Sequence, residues 1–166
     1  MKQVGQLFDE VRKGRLDQDL EPKILRSARD AEGRSLLHMS NNPDILARLL
    51  AAGVDPNCRD NSGMTPLMRS LSAASNRVLL QAGADVNARD DAGNTVLAHQ
   101  AGVLIGCIGY CAPDFEALDV LKAAGVQAPG RELAEAWIAE AHAQACAALE
   151  NMDACAFESW LLKLYE

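Results

Sequence analysis

Glycines recur at a fixed interval along this chain, and that interval constrains its fold more than any other feature. Gly33, Gly63 and Gly93 stand 30 residues apart, and so do Gly53 and Gly83. The text around them repeats as well. "LLAAGVDPNCRDNSGMT" (49–65) aligns without a gap to "LLQAGADVNARDDAGNT" (79–95), sharing Leu-Leu, Ala, Gly, Asp, Asn, Arg-Asp, Gly and Thr. A further copy opens at "DAEGRSLLH", and another ends at "VLKAAGVQA". A period of this length marks a stacked array, in which each unit buries its apolar face only against its neighbours.

One unit can be read residue by residue. Gly53 and Gly83 follow the apolar runs "ILARLLAAG" and "RVLLQAG". Both fit the left-handed position that ends a helix. The polar stretch to the next glycine carries Asn, Asp and Gly, the residues of tight turns. Thr65-Pro66-Leu67 then restarts a helix, with Thr as cap and Pro at its first position. Neither helix of a unit is long enough to stand alone.

"GADVNARDDAGNT" and "SGMTPL" resemble ankyrin-repeat text, and "GRSLLH" is similar to that family's Gly-x-Thr-Pro-Leu-His opening. The resemblance implies an all-α solenoid of helix-turn-helix units with short hairpin-like fingers, closed by capping helices at both ends. It divides the chain into N-terminal capping helices (1–29), repeats at 30–59, 60–89 and 90–128, and C-terminal capping helices (129–166), all in one domain. It also implies that His38 is structural, bonding within its turn. The usual period is 33 residues; here it is 30. The deficit falls between the two helices of a unit, at "HMSNNPD", so the inner helix or its connection must be short. Asn42-Pro43-Asp44 has the pattern of a capped outer helix. The third repeat is expanded near 102–113, in the apolar, Gly-rich "GVLIGCIGYCAPDF". This insertion is expected to lengthen the inner helix and then turn back at Pro113. Small residues packed locally account for it, and so does an exposed contact at Ile108, Tyr110 and Phe115. In the tail, Leu133, Trp137, Ile138, Ala141 and Ala145 share one helical face, and Phe157, Trp160, Leu161 and Leu164 another.

The composition narrows the function. Hydrophobic residues make up 49% and aromatics 4%, which suits closely packed small helices. No signal peptide and no apolar run of membrane-spanning length is visible. Five cysteines (Cys58, Cys107, Cys111, Cys146, Cys155) are an odd number, favouring reduced thiols and a cytoplasmic protein. The alanine content points to a bacterial source. Net charge is −7. Residues 1–89 hold 13 Lys/Arg against 11 Asp/Glu, and residues 90–166 hold 3 against 12, so the balance runs from +2 to −9. Such a surface disfavours nucleic acid and anionic membrane, and favours a basic partner or simple solubility.

No chemistry-bearing motif stands out. His38, His99 and His142 are scattered, and the phosphate-loop, zinc-protease and nucleophile-elbow patterns are absent. Cys107 and Cys111, with His99 eight residues earlier, make the only Cys-dependent enzyme reading. No cofactor or metal is expected. The expected role is a non-enzymatic protein-binding module, monomeric or weakly oligomeric, of the inhibitor or immunity-protein type; a self-assembling scaffold, an adaptor or an effector fragment is the alternative. By position in the fingers, the expected contacts are Glu32, Arg34, Arg59, Asn61, Ser62, Met64, Arg89, Asp91 and Asn94. Arg59 and Arg89 occupy equivalent positions, so stacking would line them up beside Asp60, Asp90 and Asp91. Mutual pairing between fingers and contact with a partner both fit these arginines.

Overall fold

The computed structural model describes residues 4–16, 20–107, 115–148, 158–159 and 162. Ile108, Tyr110 and Cys111 lie outside the described residues, as do Pro113 and the second tail face from Phe157 to Leu164 apart from Glu158, Ser159 and Leu162. The chain divides into two compact units, 1–96 and 97–166.

The first unit begins with α1 (Val4–Arg12) and α2 (Pro22–Ser27), followed by a 3-10 turn (Leu36–Met39), α3 (Pro43–Ala51), α4 (Pro66–Arg69) and α5 (Ala73–Gln81). The short period is explained at once: the inner elements, Leu36–Met39 and Pro66–Arg69, are single turns of four residues. The outer helices have nine residues each. Asn42 caps α3, its Oδ1 accepting from the N–H groups of Asp44 (2.9 Å) and Ile45 (3.4 Å), with Pro43 in the first turn. Ser72 caps α5 by accepting from Ser75 N–H at 3.1 Å. Gly53 and Gly83 end the outer helices at positive φ, as the helix-stop reading requires.

Packing follows the repeat. α3 lies on α5, the two inner turns lie on each other, and α1 covers the first turn. Leu36, Leu46, Leu49 and Leu67 are fully buried at this seam, and Leu79 is 1% exposed. Each such side chain contributes about 1.5–3 kcal/mol by leaving water. Polar stitches run along the stack. The Ser75 hydroxyl donates to the Asn41 carbonyl at 2.8 Å. Asn57 accepts from Asp85 N–H (2.8 Å) and donates to the Gly83 carbonyl (2.9 Å).

The second unit takes in nearly all of α6 (Val96–Cys107), then α7 (Glu116–Ala123) and α8 (Arg131–Ala148). α6 has 12 residues where its counterparts have four. The third inner helix is therefore lengthened, as the insertion led one to expect. α7 buries Ala117, Leu118 and Leu121. On α8, Trp137 is buried and Ile138 half-buried, but Leu133 is 45% exposed. The buried face is centred on Ala134 and Trp137. Leu133 lies one helical step of about 100° back from Ala134, at the edge of that face, so its inclusion in the face is corrected.

Candidate functional site

Three finger loops, opened by Asp30, Asp60 and Asp90, share one construction. In each, the Asp carboxylate accepts from the N–H groups two and four residues on: Glu32 and Arg34, Ser62 and Met64, Ala92 and Asn94, at 2.8–3.1 Å. The Asp N–H donates back to the carbonyl four residues on, at 3.0–3.2 Å. This closure places the glycine third after the Asp at positive φ. In the third finger, Arg89 and Thr95 also form an antiparallel bridge. The aspartates are therefore the framework of the fingers.

Adjacent fingers are joined at the same 30-residue offset. Asn61 N–H donates to the Glu32 carbonyl (2.9 Å), and Asp91 N–H to the Ser62 carbonyl (3.1 Å). Asn61 Nδ2 adds a bond to the Ala31 carbonyl at 3.3 Å. The approach is close. A Cβ on Gly33 would run into the Asn61 side chain, and one on Gly63 into the Asp91 carboxylate.

The arginines do different jobs. Arg59 crosses to the next finger, its Nη2 donating to the Arg89 carbonyl (2.6 Å) and pairing with Asp91 (3.4 Å). Arg89 turns back into its own finger and donates to the Gly93 carbonyl at 2.8 Å. Arg34 pairs within its loop with Asp30 (2.7 Å) and Glu32 (2.9 Å). The aligned ladder is thus a cross-finger tie at Arg59 only. Glu32, Arg59, Asn61, Ser62, Arg89, Asp91 and Asn94 are exposed, while Arg34 and Met64 are half-buried. These nine residues come together on one row of fingers. Phe115 precedes α7 in the second unit and is half-buried.

Electrostatics separates the fingers. Burial works to raise the Asp60 carboxyl, but hydrogen bonds from Ser62 and Met64 N–H and from Arg69 outweigh it and hold it below the ordinary value of 3.8. Its side chain is 2% exposed, and Arg69 pairs with it at 3.1 Å. At Asp30, burial is likewise outweighed by the Arg34 guanidinium and backbone N–H. That pairing raises Arg34 in turn. Asp90 uses Asn94 Nδ2 (3.1 Å) in the same place.

Beneath the second finger lies a buried polar chain. His38 Nε2 meets the Met64 carbonyl at 2.9 Å, its Nδ1 meets Ser35 N–H at 3.1 Å and Ser35 Oγ at 2.9 Å, and Ser35 Oγ meets Cys58 Sγ at 3.1 Å. The structural part expected of His38 is present, and it extends beyond its own turn into the next repeat. Burial pushes the Cys58 thiol up despite the bond to Ser35, which makes it a poor nucleophile. His99 is half-buried on α6; Cys111 and the Cys107 side chain lie outside what is described. Among the described residues, no group of three His, Cys, Asp or Glu is placed to hold a metal ion. No helix among them is long and apolar enough to cross a membrane.

A family model described as ankyrin repeats, in three copies, matches residues 23–108, just over half of the chain. The chain belongs to the ankyrin-repeat family. Ankyrin repeats are protein–protein interaction modules, and domains built from them are typically non-enzymatic. No curated protein matches this chain.

Sequence reasoning missed three contributors. Asn57 bridges successive loops, and its signal was its recurrence as Asn87. Arg69, nine residues after Asp60, partners the buried carboxylate; no repeat marks it. Cys58 bonds to Ser35 across 23 residues, and Ala88 stands at its position in the next copy.

Proposed function

We propose that this ankyrin-repeat protein is a non-enzymatic binding module whose finger row receives another protein. The observation that carries this reading is the cross-finger bonding of Asn61 to Glu32 and Asp91 to Ser62. It holds the row in place while the side chains of Glu32, Asn61, Ser62, Asp91 and Asn94 stay exposed. A preordered surface loses little conformational freedom on binding. Arg34, Arg59 and Arg89 shape the row through their internal bonds, and Met64 is half-buried at the close of the second finger.

The partner is a protein with a basic surface, and the role is that of a cytoplasmic inhibitor or immunity protein. The −9 balance of residues 90–166 supports this, because complementary charge speeds encounter and makes it sensitive to salt. Phe115, Ile108 and Tyr110 form a secondary contact in this reading.

Ser62→Arg tests it. The Ser62 side chain is exposed and its backbone carbonyl carries the cross-finger bond, so stability should change by less than about 0.5 kcal/mol. Capture from the native lysate should retain one stoichiometric basic partner at low salt, less at moderate salt, and none with the variant. Equal capture by both proteins would remove the finger row from the interface. A self-assembling scaffold is the second reading. The exposed Val103 and Leu133 favour it, and light scattering at two concentrations separates the two.

A further inference from the structure

The buried chain Cys58–Ser35–His38–Met64 has only one arrangement of its protons. Two of its groups are backbone and cannot be reversed. Ser35 N–H is a donor, so His38 Nδ1 must be the acceptor, at 3.1 Å. The Met64 carbonyl is an acceptor, so His38 Nε2 must carry the proton, at 2.9 Å. The ring is therefore neutral. The Ser35 hydroxyl, 2.9 Å from Nδ1, donates to it, since otherwise two lone pairs would face each other. Its oxygen is then free to accept from the Cys58 thiol at 3.1 Å. Ser35 is fully buried, His38 is 7% exposed and Cys58 8%, so water is poorly placed to replace any member.

Met64 is the last residue of the second finger, and its carbonyl also closes that finger by accepting from Asp60 N–H at 3.0 Å. His38, from the preceding repeat, thus holds the finger at its closing bond. We infer that His38, Ser35 and Cys58 form an acid-sensitive latch, closed while the imidazole is neutral and released when it is protonated, and that the latch holds the second finger alone. A proton on Nδ1 would set two N–H groups head to head at Ser35, and a backbone N–H cannot rotate away. The Ser35 hydroxyl would have to reverse toward the Cys58 sulfur, 3.1 Å away, and the thiol hydrogen would have to leave the Ser35 oxygen.

Charged groups facing the ring are Asp60 of the same finger, Arg69 at the end of α4, and Arg29 after α2. The Asp60 carboxylate favours the protonated ring, but it is engaged by Arg69 and two backbone N–H groups. Both arginines oppose protonation. The third finger has no such latch. Met68 takes the place of His38 in the second inner turn, where its sulfur accepts from Thr65 N–H at 3.4 Å, and a thioether has no hydrogen to donate to Asn94.

The latch is a property of the free protein and holds whether or not the finger row meets a partner. Amide hydrogen exchange on the full chain, taken as protection relative to intrinsic rates, tests it between about pH 7.5 and about pH 5, the range in which histidine titrates. Protection of Asp60 and Met64 should fall several-fold across that range while that of Asp90 and Asn94 stays level, and the His38 ring should carry its proton on Nε2 at the upper end. His38→Gln should abolish the response, because an amide does not titrate. Should that variant not fold, the native ring decides: the His38 ring signal should titrate with the same midpoint at which Asp60 and Met64 lose protection. A level second finger in the native protein, a parallel change in both fingers, a response that survives His38→Gln, or a His38 ring that titrates apart from the loss of protection would each overturn the latch.

Discussion

The second and third fingers are spelled almost alike and are closed by the same bonds, yet they occupy different environments. Asp60 is 8% exposed, carries Arg69 as a counter-ion and sits over His38. Asp90 is half-buried and held by the neutral Asn94 amide. The second finger has fingers on both sides within its unit, bonding to Glu32 through Asn61 and to Asp91 through Ser62. What the pair teaches is that a repeated motif specifies a loop shape, while the strength of that loop depends on what the neighbouring repeats place around it.

The largest separation should come from removing the framework carboxylates. Asp60→Ala leaves two part-buried N–H groups and Arg69 without their acceptor, and should cost about 3 kcal/mol; Asp90→Ala, at a wetter loop, should cost about 1 kcal/mol. Equal losses in denaturant unfolding would mean that burial does not distinguish the fingers. Next come the glycines. Gly63 has φ +75° and its Cβ position meets Asp91 and Arg59, whereas Gly93 has φ +85° with open space around it. Gly93→Ala should lose only the left-handed backbone term of about 1–2 kcal/mol, and Gly63→Ala should lose that and more. A crossover in their order would show that the cross-finger contact yields easily.

Acid should weaken the second finger in two separate windows. Burial lowers His38 from its ordinary 6.5, although Met64 and Asp60 resist this. A group that folding keeps neutral stabilises fully above its unfolded pKa, and that contribution falls as pH drops below 6.5 toward the lowered folded value. Asp60 is lowered too, but as an acid. Its contribution is complete above 3.8 and is lost as pH falls through the folded value beneath that. Unfolding midpoints measured across both windows should flatten in the upper one for His38→Gln and in the lower one for Asp60→Asn. The smallest effect belongs to Arg59→Ala. Arg59 and Asp91 are 50% and 68% exposed, so cutting their tie should cost less than about 1 kcal/mol. A larger loss would mean that the cross-finger tie, and not the framework, carries the row.

Much of this was legible in the text. The 30-residue offset of Gly33, Gly63 and Gly93 foretold tight turns in register, which the ankyrin likeness made fingers, because such a turn needs a residue that accepts positive φ. The Asn42-Pro43 start of α3 was readable because caps are local chemistry. That the inner helix or its connection would be short followed from counting, since each unit is three residues under the usual 33; that the helix itself shrinks to one turn came from the structure. Leu133 was misplaced because helical spacing alone does not say where the edge of a buried face falls. The arginine row was only partly legible. Arg59 and Arg89 share a repeat position, but one reaches the Arg89 carbonyl and Asp91 of the next finger while the other folds back onto the Gly93 carbonyl of its own.

The pattern of glycines, aspartates and leucines was enough to specify a helical repeat array, its period, the glycine stops of its outer helices and the start of the first of them, and the ankyrin likeness added its fingers. Those features depend on interactions spanning a few residues, which any reader of the chain can count. Which carboxylate would be buried, which arginine would cross, and that Cys58 would meet Ser35 and His38 were settled by stacking. Those contacts join residues 9 to 32 apart, and their strength depends on how far packing excludes water from each, a quantity that no single repeat contains.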